Sequence, residues 1–383
     1  MKDLINCLKQ GGFLFCVLCY ALVICNLKGY ITLIGIFSIM VFVLITIRTK
    51  INKGACIIIL YSLSYITFSY LNGYSYTISI LVLYVIAPFV FYQFGSWLVK
   101  NYKNDNLIVM AWLIIIISYC INIHYITLRD FLSTGMLIRP DRSFSFVNDD
   151  SNNIAATLVG LPMSIGVLGL PMSIIVRNKL QKIGFLCVFI LSLMTILSLL
   201  NRTGIVVAIL CSVIVIIYGT KNSLIKIITS LIVITLILFI LVYVGVINEE
   251  LINMYKERNE NISTMGDRSY RWIEAIGNLF AHPFGWANNG EIYYVHNMWL
   301  DIARVSGIIP FGLLVYMTYD SFRKAFRLIK IYNNAASCMM LGLNVCFFTS
   351  CFMEPIYGGT HFMLYCMLWG TETSLLKNYL LTK

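Results

Sequence analysis

Twelve stretches of 16 to 24 mostly apolar residues run through this 383-residue chain, at about 12–27, 30–47, 54–71, 77–99, 107–123, 154–176, 183–200, 203–219, 224–247, 298–319, 336–352 and 361–379. A bilayer core about 30 Å thick is crossed by roughly 20 helical residues rising about 1.5 Å each. The composition agrees, with 59% hydrophobic and 12% charged residues, where soluble domains carry about 45–50% and a quarter. A cytosolic enzyme, a secreted disulfide scaffold and a disordered chain are excluded. The predicted fold is all-α: one integral membrane domain over 1–383, a polytopic transmembrane helical bundle of about 12 spans.

The net charge of +11 reads as topology rather than nucleic-acid binding, because the basic residues sit in short loops between apolar runs. With the N-terminus in the cytoplasm, eighteen Lys and Arg fall inside and ten outside, against four and thirteen acids. The loops then carry +14 inside and −3 outside, which favours both termini in the cytoplasm. The twelve cysteines lie nearly all within apolar runs, where a thiol packs as a small hydrophobe. Cys16 and Cys19 form a CxxC in an uncharged helix without redox context. The first run follows Lys2 and Lys9 and lacks a small-residue cleavage site, as an uncleaved signal anchor would.

Two outer segments break the short-loop rhythm, 124–153 and 248–297. Long loops of ordinary composition tend to carry function. The larger one predicts an amphipathic helix over 267–281, with Trp272, Ile276, Leu279 and Phe280 at helical spacing, lying flat at the membrane surface. The two halves show no internal repeat, which disfavours a transporter built from duplicated bundles.

The candidate chemistry is gathered on that outer side. Arg202, in Asn201-Arg202-Thr203-Gly204, either snorkels to headgroups or presents its fork to a phosphate or diphosphate. Arg268 and Trp272, four apart, share a helix face, and Arg271 is close enough to share an anion. That face meets either lipid phosphates or a bound diphosphate. Pro283-Phe284-Gly285-Trp286 follows. In His296-Asn297-Met298-Trp299-Leu300-Asp301, continuing to Arg304 and Gly307, residues Asn297, Asp301 and Arg304 form a polar stripe with His296 at its mouth. Asp301 and Arg304 either pair with each other or serve a substrate. His296, a neutral imidazole at the surface, suits taking a proton from a sugar hydroxyl. Glu354, the one acid of its outer loop, caps a helix, pairs with an arginine or acts as a second base. Trp286, Tyr293, Tyr294 and Trp299 are candidates for stacking on sugar rings.

Taken in order, Arg202-Thr203, Arg268 with Trp272, Pro283-Phe284-Gly285, and His296-Asn297 before the Gly307 helix resemble the O-antigen ligase and polymerase superfamily of membrane glycosyltransferases. The likeness covers roughly 145–320 and implies a GT-C-like helical fold. It also implies a metal- and cofactor-free transfer of glycan from an undecaprenyl-diphosphate carrier, at the outer face of the bacterial inner membrane. Arg202 and Arg268, helped by Arg271, would hold the diphosphate, and His296 would activate the acceptor. Asp301 and Glu354 would assist catalysis, while Asn297, Arg304, Trp286 and Trp299 would bind glycan. A chain-length regulator protein is an implied partner. The short 286–295 segment and Glu354-Pro355 look more like polymerases than ligases, and the ligase is the alternative acceptor choice. A lipid-linked oligosaccharide flippase is the alternative from another class. It calls for charges at the bilayer midplane, and the twelve runs leave almost none there.

Overall fold

The computed structural model describes residues 52–101, 104–135, 143–146, 149–199, 201–220, isolated positions between 224 and 256, and residues 268–287, 295–353 and 359–381. The first two expected spans and two thirds of the ninth lie outside them. In chain order come α1 (Lys53–Leu71) and α2, which joins Ile78–Leu81, a π-turn at Val82–Ile86 and Ala87–Asn101. Then follow α3 (Asp105–Thr134), a hairpin of β1 (Ser143–Phe146) and β2 (Asp149–Ala155), α4 (Ala156–Gly166) and α5 (Gly169–Ile175). Next are α6 (Lys179–Ser198), α7 (Arg202–Gly219), α8 (Arg268–Ala281) and α9 (Met298–Ser306), and last α10 (Ile308–Ile331), α11 (Ala335–Met353) and α12 (Gly359–Leu381). Six helices among the described residues are long and apolar enough to cross a bilayer: Lys53–Leu71, Val82–Lys100, Asp105–Ser133, Lys179–Ser198, Arg202–Gly219 and Ala335–Met353. The chain is a helical membrane protein.

Asparagine starts many of these helices. Asn52, Asn104, Asn178, Asn201 and Asn297 each turn a side-chain oxygen onto the first free amides of the helix that follows. Such a cap is worth about 1 kcal/mol. Inside the bundle, α2 and α12 run parallel with their backbones nearly touching. A Cβ on Gly95 would lie 2.1 Å from the Met367 carbonyl, and one on Gly370 2.0 Å from that of Tyr92. Small residues allow this approach where apolar side chains gain nothing over lipid. At one end of the bundle Asp105 accepts hydrogen bonds of 2.6 Å from Tyr379 and from Asn334, tying α3, the α10–α11 turn and α12 together. Lys100, Lys179 and Lys377 lie toward this basic end.

Three expected boundaries are corrected. α3 continues to Thr134, well into the expected 124–153 loop, because His124 and Thr127 find hydroxyl partners on α6, Ser192 at 3.0 Å and Thr195 at 2.9 Å. The helix ends at Gly135 with φ 69°. The expected span at 154–176 divides at Val167–Leu168, ahead of Pro171. The span at 298–319 divides at Gly307, whose φ of 82° leaves the helical region, while Pro310 in the first turn of α10 needs no amide partner.

The α2–α12 contact predicts that Gly370→Ala lowers the thermal unfolding temperature by several degrees, because a methyl must push two helices apart. Gly277→Ala, at an exposed helix position with nothing within 4 Å, serves as the control and leaves stability unchanged or raises it by about 0.5–1 kcal/mol. Differential scanning fluorimetry of the two purified variants compares them directly.

Candidate functional site

The sidedness of the bundle decides which motifs can meet. α7 and α11 pack antiparallel: a Cβ on Gly219 would lie 2.8 Å from Cys338 Sγ, and Cys211 Sγ is 3.5 Å from Cys346 Sγ. Followed toward its start, α7 therefore brings Arg202 to the same end as Phe352, near the close of α11. Arg202 is exposed as the first residue of α7, and Asn201 packs against Gly160 of α4.

Phe352 is also where the other two motifs arrive. Its carbonyl accepts from Asn297 Nδ2 at 3.3 Å, and the Trp272 ring meets its ring edge-on at 5.1 Å. Trp272 Nε1 donates to the Val295 carbonyl at 3.0 Å, one residue before His296. Arg268 begins α8 one turn, or about 6 Å, before Trp272 on the same face. Arg202, the α8 arginines and His296 thus share one end of the bundle, and the described contacts converge on Phe352.

α8 is amphipathic in an unexpected way. Trp272, Ala275 and Leu279 face the protein, packing with Trp286, Val295 and Ala303 in a small satellite core. Tyr270, Ile273, Ile276 and Phe280 face away, Ile273 and Phe280 being 72% and 74% exposed. The expected single stripe of Trp272, Ile276, Leu279 and Phe280 is therefore corrected to two faces, one docked and one outward. Phe284 stacks on Phe68 of α1 at 5.4 Å, so the outward face continues the lipid-exposed side of a spanning helix. That placement suits the membrane interface.

Past α8, the Pro283-Phe284-Gly285-Trp286 turn lies directly on the end of α9. Trp286 N donates to the Arg304 carbonyl at 2.8 Å and Ile308 N to the Pro283 carbonyl at 2.9 Å. The backbones pass so closely that a Cβ on Gly307 would stand 2.2 Å from the Pro283 carbonyl oxygen. Gly285 takes a φ of 105° to fit.

His296 has a φ of 54°, the only positive value among the described residues other than glycine. L-residues pay roughly 1 kcal/mol or more for this conformation, and strain of that kind concentrates at functional sites. It is held from both sides. The Val295 carbonyl is taken by Trp272, and the Asp301 carboxylate lies near the Val295 amide. On the other side Asn297 caps α9 through Leu300 N at 3.2 Å while bonding Phe352.

Several sequence assignments change in the light of these contacts. Asp301 and Arg304 pair at 3.0 Å, and Arg304 also lies against Tyr74. Arg304 is buried, so its guanidinium supports the fold rather than meeting a glycan. Asn297 has both ends of its amide engaged and is buried too. Trp286 is 3% exposed, which removes it from any sugar-stacking surface. Trp299 is buried with its indole on Thr318 Oγ1 at 3.0 Å and its ring against Phe348. Glu354, Tyr293 and Tyr294 lie outside the described residues. Arg202, Arg268, Arg271 and His296 remain at the surface or half-buried.

Beside Met298 the bundle holds a small apolar cavity of about 20 Å³, walled by Trp299, Phe347 and Phe362, with Thr318, Asn344, His361 and Tyr365 among its polar groups. It shares Phe322 and Phe348 with a cleft of about 410 Å³ on the side of the bundle, lined also by Leu210 and Ile214. Farther toward the basic end is a polar network that the sequence reading missed. Glu372, fully buried, accepts from Ser321 Oγ at 2.5 Å and from Asn344 Nδ2. Beside it Lys324 pairs with Asp320 at 2.5 Å and bonds Thr373, and Trp369 Nε1 donates to Asp320 at 2.9 Å. A lone acid within an apolar span carries no periodic signal, which is why it escaped notice.

No family model matches the chain, and no curated protein matches it.

The strain at His296 predicts that His296→Gly keeps or slightly raises thermal stability, since glycine adopts φ 54° at little cost, while abolishing any activity that needs the imidazole. A drop of many degrees in the unfolding temperature would instead assign His296 a purely structural role.

Proposed function

We propose that this protein is a polysaccharide polymerase of the O-antigen type, spanning the bacterial inner membrane about twelve times with both termini in the cytoplasm. It joins undecaprenyl-diphosphate-linked oligosaccharide units at the outer face. The observation that carries this reading is that Arg202, the Arg268–Trp272 helix and the strained His296 lie at the same end of the bundle. The order of those motifs is what resembles the family.

The chemistry follows from the residue types. The acceptor hydroxyl gives its proton to His296 as its oxygen attacks the anomeric carbon of the donor glycan. The bond from that carbon to the diphosphate oxygen breaks, and the carrier diphosphate leaves with the bonding pair. Arg202 and Arg268 stabilise the charge that grows on it, with Arg271 at hand on the same helix. Diphosphate is already a good leaving group, and the resemblance assigns no metal to the step. The lateral cleft beside Phe322 and Phe348 supports a lipid-borne substrate, because an apolar carrier can lie there without leaving the bilayer.

Within this family a ligase would pass finished polymer to lipid A–core instead. The flippase reading gains one specific observation, the buried network around Glu372. Ionisable groups inside a bundle often mark a transport path. The network is engaged within itself through Ser321, Asn344, Lys324 and Asp320, however, and lies toward the end of the bundle opposite Arg202 and Arg268, so we retain the polymerase.

Arg268→Lys should lose most activity while keeping the charge, because a point ammonium lacks the bidentate fork. The assay is a lipopolysaccharide gel from a deletion strain complemented at matched expression. A single repeat on core without a ladder is expected. Loss of all substituted core, with long carrier-linked polymer accumulating, would indicate the ligase. A full ladder from the Lys variant would remove Arg268 from diphosphate recognition.

A further inference from the structure

The site receives a side chain from outside the motifs altogether. Asn72 follows α1, and its Nδ2 donates to the Phe284 carbonyl at 2.6 Å and the Val305 carbonyl at 3.2 Å, besides capping Phe68 at 2.9 Å. One amide thus spans three segments: the end of α1, the turn after α8 and the end of α9. The fit is tight, since a Cβ on Gly285 would lie 2.6 Å from the same nitrogen. Two residues on, Tyr74 lies against the buried Arg304. Arg304 holds Asp301, whose carboxylate lies near the Val295 amide beside His296. The Asn72–Tyr74 loop therefore touches both backbones that carry the site, by two separate routes.

We infer that Asn72 is a positioning residue for the site, locking the arginine-bearing α8 onto the segment that presents His296. This rests on the reaction proposed above. Asn72 meets no reacting group; it fixes the relative placement of α8 and α9, on which transfer between groups bound by one and activated by the other depends. Without its amide, the Phe284 and Val305 carbonyls lose their shared donor. The turn is then held to α9 by the Trp286 and Ile308 amides, and α8 by the Trp272 bond.

The test compares full-length wild type with Asn72→Asp, which keeps the size but cannot donate, and with Tyr74→Phe. Each is assayed in lipid nanodiscs for polymerisation of a lipid-diphosphate-linked repeat unit. Amide hydrogen exchange is followed by mass spectrometry over 282–287 and 304–308. In Asn72→Asp, turnover should fall roughly tenfold, as expected for losing one well-placed donor, with KM changed less than about twofold. Exchange should quicken in those two segments and stay unchanged across the α2–α12 contact. A merely structural role would instead quicken exchange throughout and lower the unfolding temperature. Unchanged local exchange overturns the inference, as does quickened local exchange with wild-type turnover. Should Asn72→Asp not fold, Tyr74→Phe decides, a severalfold loss of turnover being expected and wild-type turnover overturning it. A wild-type chain that forms no polymer would point to failure of the proposed reaction itself, a result separate from any difference between variants.

Discussion

At the site end of the bundle two backbones pass each other with no side chain between them. The turn through Pro283 and Gly285 rests on the end of α9 at Arg304 and Gly307, joined by the Trp286 and Ile308 amides. A Cβ on Gly307 would clash at 2.2 Å from the Pro283 carbonyl oxygen, and both glycines adopt positive φ. This crossing anchors α8. From it the Trp272 indole reaches Val295, and from Val295 the chain bends through the left-handed His296 into α9. The arginines of α8 and His296, just ahead of α9, lie at the same end because a glycine crossing brings their supports into contact.

The helices themselves were legible. Apolar runs gave α1, α6, α7, α11 and α12 to within a few residues, because a membrane span is defined by length and hydropathy alone. The break at Gly307 was written in Gly307-Ile308-Ile309-Pro310, but the apolar run continues across it and hides the change of direction. The site was legible only in part. Arg202, Arg268 and His296 stand out because charge or imidazole at a span end is conspicuous. The stripe of Asn297, Asp301 and Arg304 looked equally functional, yet its members are buried in mutual bonds, since helical spacing cannot distinguish an outward face from a packed one. Trp286 and Trp299 are buried for a similar reason: an indole gains more from a protein core than from an open surface. Asn72, more than 200 residues from the Phe284 and Val305 carbonyls it bonds, left no local trace.

The polar groups of the bundle divide into two levels. At the site end lie the exposed Arg202, the half-buried Arg268 and Arg271 and the half-buried imidazole of His296. Within the bundle, Glu372 with Ser321, Asn344, Lys324 and Asp320 ties α10, α11 and α12 together, about 14 Å from the last residue of α12. The apolar cavity lies between these levels and shares Asn344 with the lower one. A lower network bonded across three helices, beneath an upper site assembled from separate segments, is what the proposed reaction calls for, since it must hold its groups still. A carrier alternating between two faces would need those same helices to move apart.

The most direct test of the central claim is reconstitution of the purified protein in liposomes with a single synthetic undecaprenyl-diphosphate-linked repeat unit, followed by mass spectrometry of the glycolipids. The account predicts a ladder of carrier-linked oligomers, with one free undecaprenyl diphosphate released for each linkage formed, and none of either from His296→Gly. Movement of the intact unit between leaflets without any new glycosidic bond would contradict it.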